Sequence, residues 1–254
     1  MATTMNAIRD ELVEHGSSLF NAPPQVVHFT RDPKADALLN DLAKHPHAFV
    51  LACVMDRQVK AERAWSIPYK LQERLGGDFS IPRLASLSPS QVRVLMTNPE
   101  PLHRFVDDMS RYLHAAIQHI INRYAGDASN IWRGTPPSAE VVYKFLEFDG
   151  IGPKIASMAA NILARDFKIP LADHYSIDIS ADVHVRRVFG RLGLTPPDAS
   201  IEQLIFRARA LHPVFPGLMD FPAWEVGRNW CRPQNPDCLA CYMNEVCPTS
   251  SSSA

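Results

Sequence analysis

Ser138-Ala139-Glu140-Val141-Val142-Tyr143-Lys144-Phe145-Leu146 is followed by Glu147-Phe148-Asp149-Gly150-Ile151-Gly152, and then by Pro153-Lys154-Ile155-Ala156-Ser157-Met158-Ala159-Ala160-Asn161-Ile162-Leu163. Val141, Val142, Phe145 and Leu146 share one face of a short helix. Ile155, Met158, Ala159, Ile162 and Leu163 share a face of a second helix, which Pro153 opens at its first position. Gly150-Ile151-Gly152 joins the two. Two glycines around an aliphatic residue allow a tight turn, with amides that no side chain screens. At a helix N-terminus those amides, with the helix dipole, can hold a phosphate. The plainer reading is a simple joint between two packed helices.

The rest of the chain has the same period. Ala35, Leu38, Leu39 and Leu42 form a stripe behind Asp32-Pro33, a cap and a first helical residue. Ala48 to Met55 is apolar throughout and runs into Asp56-Arg57-Gln58, a buried helix with an emerging polar end. A helix from Glu62 to Leu75 is expected to be interrupted by Pro68 and stopped by Gly76-Gly77. Ser88 with Gln91, and Ser200 with Gln203, form capping boxes. Phe105, Met109, Tyr112, Leu113, Ala116, Ile117, Ile120 and Ile121 hold 3-4 spacing for over four turns, with Gly126 just beyond. No segment alternates with a period of two, so the fold class is all-α.

Composition narrows the function. The chain has 254 residues, 26 Lys+Arg against 27 Asp+Glu, a formal net charge of -1 and 46% hydrophobic residues. Before Gly150 there are 16 basic and 17 acidic residues, and from it onward 10 and 10. A uniformly basic nucleic-acid coat is therefore excluded. No apolar run approaches a membrane span, so no membrane partner is expected. The polar N-terminus lacks a signal core, which points to the cytoplasm. Four of the 5 cysteines lie in the last 24 residues. Cys231, Cys238, Cys241 and Cys247 are spaced C-x6-C-x2-C-x5-C. Disulfides suit a cytoplasmic chain poorly. Zinc usually takes two Cys-x2-Cys knuckles, and only Cys238 and Cys241 make one; the spacing favours an iron-sulfur cluster over zinc without excluding zinc. Cys53, in the apolar helix, reads as a small buried hydrophobe.

Lys154, second in its helix, is either a solvated surface charge or, as a neutral amine, a nucleophile. Asp182, before Val183-His184-Val185-Arg186-Arg187-Val188, is an N-cap or a carboxylate that stabilises developing positive charge.

Together these residues resemble the endonuclease III family of helix-hairpin-helix-GPD DNA glycosylases. Phe148 to Ala156 is similar to that family's Leu-Pro-Gly-Val-Gly-Arg-Lys-Thr-Ala. Asp182-Val183-His184-Val185 is similar to its Asp-Thr-His-Ile, and Cys231 to Cys247 has its cluster spacing. Gln58 falls where the family has the glutamine of Ser-Ala-Gln. The resemblance runs from about Phe49 to Pro248. It implies a six-helix barrel domain over 46–165 and an iron-sulfur domain over 1–45 plus 166–248, flanking a DNA-binding cleft; 249–254 reads as a disordered tail. It also implies a [4Fe-4S] cluster on the four cysteines, with Lys154 and Asp182 catalytic. Gln58, Gly150, Ile151 and Gly152 would contact DNA. The implied partner is double-stranded DNA with a damaged or mispaired base, bound by a monomer, in the cytoplasm or nucleoid.

The implied activity is base removal with abasic-site lyase chemistry on Lys154. The alternatives are a monofunctional glycosylase using Asp182 and water, or a non-catalytic iron-sulfur DNA-binding protein. Lysine at 154 sets the chain apart from the adenine and thymine mismatch branches, which generally lack it. The end of the chain shortly after Cys247 leaves no room for the adenine-specific branch's extra domain. Three departures stand out. Lys154 and Asp182 are 28 positions apart, longer than in the family, and the added stretch (Asp166 to Ile179) holds Asp173, His174, Tyr175 and Asp178, a rival to Asp182. Asp56 and Arg57 replace small residues before Gln58. The loop between Cys231 and Cys238 is poor in cations, so Arg186, Arg187, Arg191 and Arg228 are the candidate DNA-facing patch, and a shallow salt dependence is expected.

Overall fold

The structure, a computed structural model, describes residues 2–250. Among them there are twelve α-helices, two short 3-10 turns and no strand, as the periodicity requires. The chain separates into two units.

One unit comprises Pro24–Pro136 and Tyr143–Ile155. Its centre is α3 (Pro46–Met55), whose ten residues are all buried. α2 (Pro33–Asn40) and α4 (Ala61–Arg74) pack on it, as does α7 (Val106–Tyr124). The short α5 (Ile81–Ala85) and α6 (Pro89–Thr97) cover α7. Because α3 is apolar on all sides it must be enclosed on all sides. Asp32 caps α2 through Lys34 N, and the Ser88/Gln91 capping box is formed at α6. The expected interruption at Pro68 does not occur: α4 runs through it. Ile67, Pro68 and Leu71 are all buried, and their packing offsets the lost backbone donor. Cys53 is wholly buried, as a small hydrophobe would be. α7 ends at Ala125 and Gly126, both with left-handed φ, where Gly126 N–H returns to Ile120 O.

The other unit holds the N-terminal segment to Pro23, Pro137–Val142, and Ala156 onward. Its elements include α1 (Ala2–Asn21), α10 (Val183–Arg191), α11 (Ile201–Leu211) and α12 (Asp220–Asn229). Ile8 and Leu12 of α1, Val185, Val188 and Phe189 of α10, Leu204 of α11 and Val226 of α12 share one core. Cys231, Cys241 and Cys247 pack against it, half-buried. α8 (Ser138–Leu146) and α9 (Pro153–Arg165) each begin in one unit and finish in the other. Thus 24–45 groups with α3, and 156–165 with the C-terminal helices, whereas the expected boundaries were 46 and 165. Of the tail expected at 249–254, positions 251–254 lie outside the described residues. Thr249 Oγ1 donates to Arg191 O at 2.5 Å, and Ser250 Oγ to Cys247 O at 2.9 Å. Among the described residues no helix is long and apolar enough to cross a membrane.

Candidate functional site

At the hairpin, Gly150 has φ 89°, and a Cβ there would lie 3.0 Å from the Tyr112 ring and 3.3 Å from Arg57 Nη1. Only glycine fits that turn. Ile151 is buried and its N–H closes the turn onto Phe148 O at 3.0 Å, so it clamps the hairpin from within instead of presenting its amide. Gly152 differs: a Cβ there would meet nothing within 4 Å. Lys154 follows in the first turn of α9, exposed.

Gln58 is exposed on the turn after α3, with φ 51°. That turn is fixed by buried His103. Phe105 N–H donates to His103 Nδ1 at 3.1 Å, which leaves Nε2 as the donor to Arg57 O at 3.1 Å. Burial lowers the pKa of His103, with Arg63 and Arg104 also acting against its charged form. Arg104 Nη1 donates to Gln58 O at 3.4 Å. Arg57 Nη1 donates to Gly150 O at 3.4 Å, and its guanidinium lies 5.4 Å from the Tyr112 ring centre. Arg57 therefore joins the Gln58 turn to the hairpin. That partnership spans 93 positions of sequence and has no local signal.

Asp182 is the N-cap of α10, and its Oδ1 accepts from His184 N and Val185 N, both at 2.8 Å. Asp178, the rival, is held in a bidentate pair with Arg209 at 2.7 and 2.8 Å. A carboxylate locked in that fork is already neutralised. Two more residues of the added stretch are engaged, with Asp173 Oδ1 accepting from Ser138 Oγ at 2.5 Å and His174 stacked on Phe215 at 4.6 Å, whereas Tyr175 is exposed.

Cys231, Cys238, Cys241 and Cys247 line one small cavity together with Arg191. None is in a disulfide. Burial pushes the Cys241 thiol up, opposed by a hydrogen bond from the Met243 backbone and reinforced by its three sister thiols. Among the described residues no three His, Cys, Asp or Glu side chains gather closely enough to hold a single metal ion. Arg191 Nη1 donates to Cys231 Sγ at 3.3 Å and to Arg232 O at 2.7 Å. Arg187 Nε donates to Cys231 O at 2.7 Å, and its Nη2 to Gly227 O at 2.7 Å. Arg228 lies over the Trp224 ring at 4.9 Å. Of the arginines expected to face DNA, Arg187 and Arg191 thus serve to tie down the cysteine loop, a role without local signal because their acceptors lie about forty residues downstream.

The two helices clasped by Gly150-Ile151-Gly152 make this a helix-hairpin-helix protein. Over residues 51–212 it matches the HhH-GPD superfamily of base excision DNA repair proteins, and the chain belongs to that superfamily. It is 26% identical over 155 residues to endonuclease III of Thermotoga maritima; the match covers 59% of this chain and 63% of that relative's length. In fold it is similar to a trapped endonuclease III–DNA covalent intermediate (TM-score 0.64, 17% identity, 100% of this chain and 98% of that one). It is equally similar to a thermostable thymine-DNA glycosylase (TM-score 0.64, 14% identity, 97% and 98%).

Proposed function

We propose that the chain is a DNA glycosylase with associated lyase activity, working as a monomer on a damaged or mispaired base in duplex DNA, in the cytoplasm or nucleoid. The observation that carries this reading is the head of α9. There an exposed Lys154 directly follows a hairpin whose second glycine faces open space. Nothing inside the chain demands a glycine at 152, and a phosphate brought against its backbone would.

The target base is unreachable in the stack and must be extruded. The amides around Gly150 and Gly152 hold a phosphate, fixing register without reading sequence. Gln58, held out on its braced turn, fills the vacated space opposite the orphan base. Lys154 Nζ attacks the sugar C1′ with its lone pair, and the base departs with the electrons of the glycosidic bond. The bound amine then gives up a proton and the C1′–O4′ bond opens, with O4′ taking a proton, to leave an iminium; this acidifies the C2′ proton, whose removal breaks the C3′–O bond by β-elimination and releases the 3′ phosphate. Asp182 stabilises the cationic sugar and moves the amine proton. With Oδ1 committed to α10, Oδ2 is the oxygen that serves.

The donor set fits a [4Fe-4S] cluster, with four thiols around one cavity and an arginine N–H on one sulfur. Cys231, Cys238, Cys241 and Cys247 would hold it, and when bound it would brace the loop without entering base removal. Arg191 and Arg187 anchor that loop to α10, the helix that Asp182 caps.

The test is a panel of lesion-bearing duplexes incubated with protein, with and without borohydride. Base release with a covalent adduct, lost in Lys154→Ala, is expected. Release without an adduct means a monofunctional enzyme; neither, across the panel, means a binding protein. Zinc instead of iron in the purified protein would refute the cluster.

A further inference from the structure

We propose that Asp220 is a positioning residue for Asp182, gripping the chain just ahead of it. This rests on the reading above, in which Asp182 is the catalytic carboxylate. Asp220, the first residue of α12, is buried. Its Oδ1 accepts from Ser180 N at 2.6 Å and from Ser180 Oγ at 2.8 Å. Ser180 is itself buried. Between Ser180 and Asp182 stands Ala181 with φ 39°, a left-handed conformation that residues with a Cβ rarely hold unless their surroundings impose it.

The carboxylate of Asp182 is therefore fixed from both sides. Downstream, the first amides of α10 take Oδ1. Upstream, the backbone enters Asp182 through a turn that nothing in Ser180-Ala181 favours locally. The grip comes from α12, 40 positions away. A carboxylate suits this task because one oxygen accepts two donors. α12 is in turn held against α10: a Cβ on Gly227 would lie 2.8 Å from His184 Cβ, and Arg187 binds Gly227 O. Without Asp220 both Ser180 donors are orphaned, Ala181 is free to return to negative φ, and the carboxylate of Asp182 swings off its target.

The experiment uses the full chain and, as probe, the duplex from the lesion panel that wild type processes fastest. Single-turnover base release and duplex affinity are measured for Asp220→Ala, Asp220→Asn, Asp182→Asn and the double variant Asp220→Ala/Asp182→Asn. Crystal structures of Asp220→Ala and Asp220→Asn accompany them. A misplacement of about 1 Å can cost roughly a hundredfold in rate, so Asp220→Ala is expected to slow release by ten- to a hundredfold at unchanged affinity. Asp220→Asn keeps an acceptor oxygen and is expected to recover most of the rate. The double variant is expected to be no slower than Asp182→Asn, because the two act as a unit. Wild-type release from Asp220→Ala, or a double variant slower than Asp182→Asn, overturns the proposal. If Asp220→Ala fails to fold, Ser180→Ala takes its place, and a wild-type rate there overturns it. If wild type releases no base, the functional reading fails by itself. The crystal structures then decide: Ala181 and Asp182 shifted in Asp220→Ala but not in Asp220→Asn supports the grip, and no shift overturns it.

Discussion

Two helix starts carry the proposed chemistry, and they are prepared in opposite ways. At the head of α9 the chain is open: Gly152 has space in front of it and Lys154 is exposed. The support there lies behind the turn, in Arg57 and Tyr112 against Gly150. At the head of α10 the chain is closed: Asp182 spends one oxygen on two amides, and a buried acid holds the residues before it. A nucleophile must travel to form a bond, whereas a group that stabilises charge works best already in place. An open lysine and a clamped aspartate are what that division of labour requires.

The largest effect expected on this contrast is at Asp182. Asp182→Asn keeps an oxygen for His184 N and Val185 N but loses the charge. Base release should fall by about 10²–10⁴-fold, as for a lost acid-base group, while thermal stability barely moves. Single-turnover kinetics beside a melting curve check this, and an unaltered rate would make the cap merely structural.

The two units also oppose each other in pH dependence. His47, in the unit of α3, is buried and its Nε2–H donates to Phe79 O at 2.7 Å; burial lowers its pKa to about 4. A lowered histidine contributes stability above its unfolded value near 6.5, lost as pH falls toward 4. Asp220 is raised to about 6, chiefly by burial and also by Asp182, against the Ser180 bonds and Arg165. A raised acid contributes stability at low pH that disappears as pH climbs from about 4 to about 6. Each amounts to about 3 kcal/mol at 1.36 kcal/mol per pKa unit. The two slopes should largely cancel between pH 4 and 6 in wild type. Asp220→Asn should expose a steep acid loss, and His47→Gln a loss on the alkaline side. Denaturant melts across that range measure both, and parallel slopes would contradict the assignment.

The glycines sharpen the contrast further. Gly150→Ala meets Tyr112 in a strained φ and should cost about 1–3 kcal/mol of stability. Gly152→Ala meets nothing and should leave stability intact. Its new methyl should weaken duplex binding by about tenfold, the worth of one hydrogen bond to a charged group. Equal losses of stability from both would show that Gly152 serves the fold. Smaller still, Arg57→Met removes the link to Gly150 O and should lower binding only a few-fold, with Gln58 no longer held in register; fluorescence anisotropy against salt resolves it.

The hairpin, both capping boxes and the cysteine spacing were legible in the sequence because each is a local pattern with a local cause. α1 was also within reach: Ile8, Leu12 and Gly16, four apart, form its buried stripe, but the polar residues around them hid it. Pro68 misled, because a buried neighbourhood outweighed a missing N–H. Arg57, Arg187, Arg191 and Asp220 could not be read from their surroundings. Each makes its decisive hydrogen bond with a residue 40 or more positions away, and a charged residue that holds distant backbone looks in sequence like one exposed to solvent.

The most direct measurement is the identity of the residue that joins DNA. Wild-type protein is reduced with borohydride on a processed lesion duplex, digested, and the adduct mapped by mass spectrometry. A deoxyribose remnant on Lys154, and no adduct from Lys154→Ala, are expected. An adduct on another amine, or one that survives Lys154→Ala, would contradict that assignment.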